Sequence, residues 1–285
     1  LKAEPNLFLQ EVIMRTAGDL RDDIFAPVMK RRVQANVTIE GRGVLCGMAQ
    51  AGEKLNSLGA VIHLQVDDGT PVEKGQVILS FAGNPKTIAL AEDLVMGCIA
   101  KPSGIATASR KAVELARGKV KIVCGAWKKM PVEMKHLVRQ AIVTGGAASR
   151  IVEGPFLYLD KNYVRIFGGV AKALEAVGGF FDHVKVVQLR GEAEEIVSET
   201  EAALRGGAHV LMVDTGSPED LLKVSRKVKE AGMRDRIQLA FAGSVKISDI
   251  PVFIEYDVDI LDIGSQIIDA PLLDLKMDVV HVEEG

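Results

Sequence analysis

The spacing of apolar positions changes character near residue 100. Before it, Val33-Gln-Ala-Asn-Val-Thr-Ile39 and Val61-Ile-His-Leu-Gln-Val66 alternate with period two, the signature of half-buried strands. Gly69 and Gly75 supply turn positions in the stretch from Asp67 to Ile78, and Pro71 interrupts any helix there. Weaker helical spacing runs from Leu7 to Leu20 and from Gly52 to Leu58. These patterns predict a small α/β layer built mostly from antiparallel strands.

After residue 100 the rhythm becomes strand, loop, helix, repeated. Strands are expected at 119–124, 156–159, 183–189, 209–214, 236–241 and 259–263, and helices at 132–142, 170–177, 192–204 and 218–231. Ser217 is placed to cap the helix that opens at Pro218, and Gly232 to stop it. Buried strands alternating with amphipathic helices mean parallel strands joined by right-handed crossovers. No Gly-x-Gly-x-x-Gly follows the first of these strands, which favours a barrel over a dinucleotide-binding sheet.

Composition narrows the function. The 285 residues carry 35 Lys plus Arg against 38 Asp plus Glu, a formal charge of −3, and only 5% aromatics. That balance argues against nucleic acid as a partner and leaves room for a local basic pocket around a small phosphorylated ligand. Cys46, Cys98 and Cys124 are widely spaced among apolar neighbours, with no Cys/His cluster for zinc. Buried thiols of this kind fit a reducing compartment, and no apolar run approaches membrane-spanning length. The expectation is a cytoplasmic protein without a membrane partner.

In an α/β barrel the active site lies on the loops after the strands. That rule selects Gly125 to Lys129, Asp160-Lys-Asn162, Gln188 to Arg190, Asp214-Thr-Gly216, Ala242-Gly-Ser244 and Gly264-Ser265. The two late Gly-Ser pairs suit phosphate binding by backbone N–H groups, since a missing Cβ lets the chain close on phosphate oxygens; ordinary tight turns are the alternative. Asp214 ends a clean apolar strand and is a candidate for magnesium, for ribose hydroxyls, or simply for a helix cap. Lys128, Lys129 and Arg150 put cations on the same rim, a position that solvated surface lysines also occupy. Trp127 is open to stacking on a flat ring or to plain packing.

Several segments then fall into a known order. Ala100-Lys-Pro-Ser-Gly-Ile-Ala-Thr107 with Arg110 looks like a helix-start motif of quinolinate phosphoribosyltransferases. Gly18-Asp-Leu20, Gly43-Val-Leu45, Thr144-Gly-Gly-Ala-Ala-Ser-Arg150, Leu159-Asp-Lys-Asn162, Leu211-Met-Val-Asp214, Ala242-Gly-Ser244, Asp259-Ile-Leu-Asp-Ile-Gly264 and Ala270-Pro-Leu-Leu-Asp274 follow at close to that family's spacing. The chain resembles a divergent member over nearly its whole length. The resemblance implies an N-terminal α/β sandwich (1–103), an incomplete parallel α/β barrel (104–270) and a tail (271–285) returning to the first domain. It also implies a homodimer in which one subunit's sandwich covers the other's barrel. The implied reaction moves phosphoribosyl from phosphoribosyl pyrophosphate to the quinolinate nitrogen with Mg2+, and decarboxylation leaves nicotinate mononucleotide for NAD biosynthesis.

Carried over residue by residue, the resemblance gives Asp214 and Lys128 catalytic roles, with Asp214 also on the metal. Arg150 and Asn162 fall to the substrates, and Gly243, Ser244, Gly264 and Ser265 to phosphate; Lys129 and Trp127, which depart from the family's loop, join the substrate candidates as a rim cation and a stacking ring. Several family positions differ. The arginine of a Glu-Arg-Thr segment falls at Asp93, and an Asp-Thr-Arg-Lys-Thr loop reads Gly125-Ala-Trp-Lys-Lys129. The lysine of a Lys-Asp-Asn-His segment becomes Asp160, a His-Arg pair reads Ser149-Arg150, and two strand glutamates fall near Val187 and Ala240. Loss of cations beside a dianion leads to the expectation of an altered acceptor. The alternative is a repurposed or catalytically degenerate barrel that binds a phosphorylated ligand or serves as a regulatory protein.

Overall fold

The computed structural model describes residues 19–192 and 194–284. The helical spacing expected over residues 7–18 lies outside them, as does Gly18 of the first family segment. Helix α1 (Leu20–Phe25) opens the described chain, its Asp19 cap accepting from the Arg21 N–H.

The first domain pairs β1 (Arg32–Ile39), β3 (Val61–Gln65) and β5 (Val77–Gly83) in one antiparallel sheet, with β2 (Gly43–Val44) and β4 (Pro71–Val72) forming a small ribbon beside it. Strand β1 is the alternating segment of the sequence, and Val33, Ala35, Val37 and Ile39 are all buried on its inner face. Helix α2 (Met48–Ser57) and the 32-residue helix α3 (Pro85–Ala116) cover that face.

Helix α3 corrects the sequence reading. Ala100–Thr107 lies in mid-helix, not at a helix start, and the expected domain limit at 103/104 falls inside the same helix. The true start signals are the Asn84 side chain, which accepts from Thr87 N at 2.8 Å, and Pro85 in the first turn. Pro102 and Gly104 look like breakers in the sequence but are tolerated here because neighbours use the gaps they leave. A proline has no N–H for the carbonyl one turn earlier, that of Cys98, and Gly47 packs so tightly on this carbonyl that a Cβ would sit 1.9 Å from it. At Gly104 the returning tail crosses, and a Cβ would meet the Pro271 carbonyl at 2.0 Å.

The second domain is a six-stranded parallel half-barrel in the order β6–β11–β10–β9–β8–β7. Its strands are β6 (Lys121–Val123), β7 (Phe156–Leu159), β8 (Val184–Leu189), β9 (Val210–Val213), β10 (Gln238–Phe241) and β11 (Ile260–Asp262). Helices α4 (Val132–Thr144), α5 (Lys161–Phe167), α6 (Val170–Ala176), α7 (Ile196–Arg205) and α8 (Pro218–Glu230) follow in the crossovers, with α9 (Ile250–Phe253) and α10 (Ser265–Ile268) after the last strands. Ser217 caps α8 as expected. The helix expected from Glu192 starts only at Ile196, and α5 was not anticipated at all.

Alternation along β8 shows how the sheet is used. Val187 and Leu189 belong to the large core under the helices, while Val186 joins a small apolar cluster on the opposite, concave face with Val210, Met212, Ala240 and Ile260. Full burial of such aliphatic side chains is worth about 1.5–3 kcal/mol each. The chain ends in β12 (Leu275–Glu283), which pairs antiparallel with β1 from Ile39↔Leu275 to Arg32↔Glu283 and so ties the tail to the first domain. Cys46, Cys98 and Cys124 are buried free thiols, and burial pushes Cys46 up to about 11 and Cys124 up to about 12. Among the described residues no helix is long and apolar enough to cross a membrane.

Candidate active site

Strand ends of the half-barrel open into two adjoining cavities. The outer one, about 450 Å³, is lined by backbone-rich loops: Gly243-Ser244 after β10, Gly264-Ser265 after β11, and Gly125-Ala126 after β6. Its geometry depends on glycine. Gly243 (φ +104°) packs so closely on Gly216 that a Cβ would lie 2.3 Å from the Gly216 nitrogen, and Gly216 N–H donates to Ala242 O at 3.1 Å. Ser244 follows with φ +64°, a left-handed conformation rare outside glycine. Turns of this kind gather N–H groups into anion-binding concavities.

The inner cavity, about 490 Å³, is made of side chains. Trp127, Phe156 and Tyr158 line it, and each ring carries a cation. Arg139 lies 4.8 Å from the Trp127 ring centroid, Arg150 lies 5.0 Å from that of Phe156, and Lys128 lies 5.5 Å from that of Tyr158. Trp127 is anchored by its indole N–H, which donates to Ser149 O at 2.7 Å. Burial raises the Tyr158 phenol, and the charges of Asp262, Asp214 and Asp160 add to that, so the hydroxyl stays protonated.

The ten residues singled out in the sequence all reach this region. Trp127 and Arg150 line the inner cavity. Asp214, Lys129, Asn162, Gly243, Ser244, Gly264 and Ser265 line the outer one, and Lys128 borders both. Asp160 accepts from Asn162 N and Tyr163 N, so it caps α5.

Asp214 is held tightly. Its Oδ2 receives the Gln188 side-chain amide and the Arg190 guanidinium, the latter at 3.0 Å, while Arg190 also donates to the Asp214 carbonyl at 2.9 Å. Gln188 Oε1 in turn accepts from Lys161 N at 2.6 Å. The family glutamate placed near Val187 therefore needs correction, since Val187 faces the helices and Gln188 is the position that faces the site.

Three residues escaped the sequence reading: Asp262 and Tyr158, which border both cavities, and Arg139, which comes from α4. Arg190, one of the strand-end residues, braces Asp214. Asp262 ends a strand just as Asp214 does, so the strand-end rule had the signal. Arg139 had none, because it lies within a helix. Burial pushes the Asp262 carboxyl above the usual range and the Asp214 charge adds to it, while the Gly125 N–H, Lys128 and Lys129 pull the other way.

The donor set suits a metal that arrives with a substrate. Among the described residues no cluster of three or more His, Cys, Asp or Glu is arranged to hold an ion. Mg2+ is usually held by one or two carboxylates plus phosphate oxygens, a pattern that Asp214 fits.

Comparison with known proteins decides the family. Residues 19–103 match the model for the quinolinate phosphoribosyl transferase N-terminal domain, and residues 105–278 match that for its C-terminal domain. The chain belongs to this family. It is similar to a probable nicotinate-nucleotide pyrophosphorylase [carboxylating] of Archaeoglobus fulgidus, at 27% identity over 87% of this chain and 95% of that one. To the Homo sapiens nicotinate-nucleotide pyrophosphorylase [carboxylating] it is 25% identical, over 88% and 83% of the two chains. Two solved structures share the fold: a nicotinate-nucleotide pyrophosphorylase from Francisella tularensis (TM-score 0.78, 23% identity, 93% and 91% coverage) and one from Pyrococcus furiosus (TM-score 0.80, 18% identity, 99% and 79% coverage). Arg139 lines the same cavity as Trp127, the position at which the resemblance called for an arginine. The charge reversed at Asp93 is met by Arg21 at 2.5 Å.

Proposed function

We propose that the chain is a phosphoribosyltransferase of NAD biosynthesis that joins phosphoribosyl pyrophosphate to quinolinate and yields nicotinate mononucleotide, pyrophosphate and CO2. The observation that carries this reading is the pairing of a glycine-built cavity with an aromatic cavity that holds three cations. The outer cavity suits phosphates. In the inner one, Arg139, Arg150 and Lys128 can grip two ring carboxylates with charge-assisted hydrogen bonds. The family models name quinolinate, and Arg139 adds a cation to the cavity that would receive it.

The chemistry balances without a protein nucleophile. The ring nitrogen lone pair forms a bond to the ribosyl C1 while the C1–O bond breaks, its electron pair leaving with pyrophosphate. The adjacent carboxylate then departs as CO2, and the carbon left behind takes a proton from solvent. Lys128 and Lys129 would neutralise the leaving pyrophosphate, Asn162 would bind sugar or phosphate oxygens, and Asp214 would hold ribose hydroxyls or Mg2+, held in place by Gln188 and Arg190. Mg2+ would enter with the diphosphate and offset its charge. The same reading takes the protein as a cytoplasmic homodimer.

Incubating the protein with phosphoribosyl pyrophosphate, Mg2+ and quinolinate tests the proposal. Nicotinate mononucleotide formed in equal amounts with CO2 and pyrophosphate is the expected result. Binding of phosphoribosyl pyrophosphate without any product would favour the degenerate barrel.

A further inference from the structure

A bond between a ring nitrogen in the inner cavity and a ribosyl carbon in the outer one must form where the cavities meet. Four residues line both: Gly125, Lys128, Tyr158 and Asp262. Asp262 is the only carboxylate among these four. We propose that Asp262 is a catalytic residue whose carboxylate faces the ribosyl C1 and stabilises the positive charge that develops there as pyrophosphate leaves. The inference rests on the phosphoribosyl transfer proposed above.

Geometry supports this placement. Asp262 ends β11, and its Oδ1 accepts from the Gly125 N–H at 3.1 Å, which fixes the carboxylate at the end of the neighbouring strand β6. Its Oδ2 lies above Gly125, 3.2 Å from where a Cβ at that residue would stand. Glycine at 125 therefore leaves the room that the carboxylate fills. The other strand-end carboxylate, Asp214, is already compensated by the Arg190 guanidinium and the Gln188 amide on one oxygen. A preorganised charge aimed at a developing opposite charge is among the largest contributions an enzyme site makes. In this step Asp262 neither gains nor loses a proton: its charge attracts C1 while the C1–O pair departs with pyrophosphate and the ring nitrogen supplies the new bond.

The test uses Asp262→Asn, which keeps size and an acceptor for Gly125, and the exchange variant Gly125→Asp/Asp262→Gly, which returns a carboxylate to the same place from the other strand. Thermal melting establishes that each variant is folded. Asp262→Asn should lower kcat about 100-fold or more while the Kd for phosphoribosyl pyrophosphate with Mg2+ stays within about threefold. The exchange variant should regain at least about tenfold of that loss. Wild-type turnover with an Asp262→Asn kcat within about threefold of it would overturn the role of Asp262 alone, as would a loss confined to Kd. A wild-type protein that forms no mononucleotide overturns the transfer reading, and this inference with it.

Discussion

The two cavities sit side by side at one end of the same sheet, yet they are built by different means. The outer one is a backbone construction, in which Gly216, Gly243 and the left-handed Ser244 set its shape and little side-chain choice is involved. The inner one is a side-chain construction, with three aromatic rings each capped by a cation drawn from three places: the β6 loop, helix α4 and the segment after it. A phosphate-binding shell made from backbone tolerates little substitution. A pocket made from side chains can draw its charges from different elements, as Arg139 on α4 stacked on Trp127 of the β6 loop illustrates.

The largest expected effect strikes the backbone-built side. Gly243→Val would drive a side chain into the Gly216 backbone at a positive φ, and phosphoribosyl pyrophosphate binding measured by calorimetry should weaken more than about 100-fold, backbone strain of about 1–3 kcal/mol adding to the collision. Unchanged binding would break the distinction between the cavities. Next comes Arg139→Met, which removes one cation from the acceptor pocket. A charge-assisted contact of about 1.5–3 kcal/mol predicts a KM for quinolinate raised about 10- to 100-fold, with phosphoribosyl pyrophosphate binding untouched. Equal losses on both substrates would mean that the cavities are not functionally separate.

Trp127→Phe should be milder. It keeps a ring but loses the hydrogen bond to Ser149 O, a change of about 1 kcal/mol, so steady-state kinetics should show the quinolinate KM rising about fivefold.

A control outside both cavities sharpens the contrast. At the opposite end of β11, burial alone would raise the Asp257 carboxyl, but hydrogen bonds from Ser225 (2.6 Å), Lys229 and Arg234 (2.8 Å), with the Arg234 charge, win and lower it to about 2. A carboxyl whose folded value lies below its unfolded one stabilises the fold above the unfolded value and loses that contribution as pH falls through about 4 to about 2. Asp257→Asn should therefore cost ~2 kcal/mol at pH 7 in denaturant melts, with the difference shrinking below pH 4. Neither substrate's binding should change.

Much of this was legible from pattern alone, and the reasons differ by element. Strands β7 and β9 were found because fully apolar runs between turn residues have few other fates. The long helix α3 was misread because the Ala100–Thr107 segment was taken as a helix start, and the tertiary partners Gly47 and Pro271 show how Pro102 and Gly104 fit within it. Strand β12 was read only as a tail returning to the first domain, its strand character missed, since a mostly exposed edge strand lacks a clean apolar stripe. Strand-end logic located Asp214 and both Gly-Ser loops. It passed over Asp262, hidden inside a family segment, and it could not reach Arg139, whose place in the pocket depends on how α4 packs beside the loop that carries Trp127.

The most direct measurement is a calorimetric titration of phosphoribosyl pyrophosphate with Mg2+ into the protein, alone and with quinolinate present, for the wild type and Arg139→Met. The account predicts saturable phosphoribosyl pyrophosphate binding to both proteins, and quinolinate binding that only the wild type retains at full strength. A wild-type protein that takes up quinolinate or neither substrate, and shows no phosphoribosyl pyrophosphate binding, would contradict it.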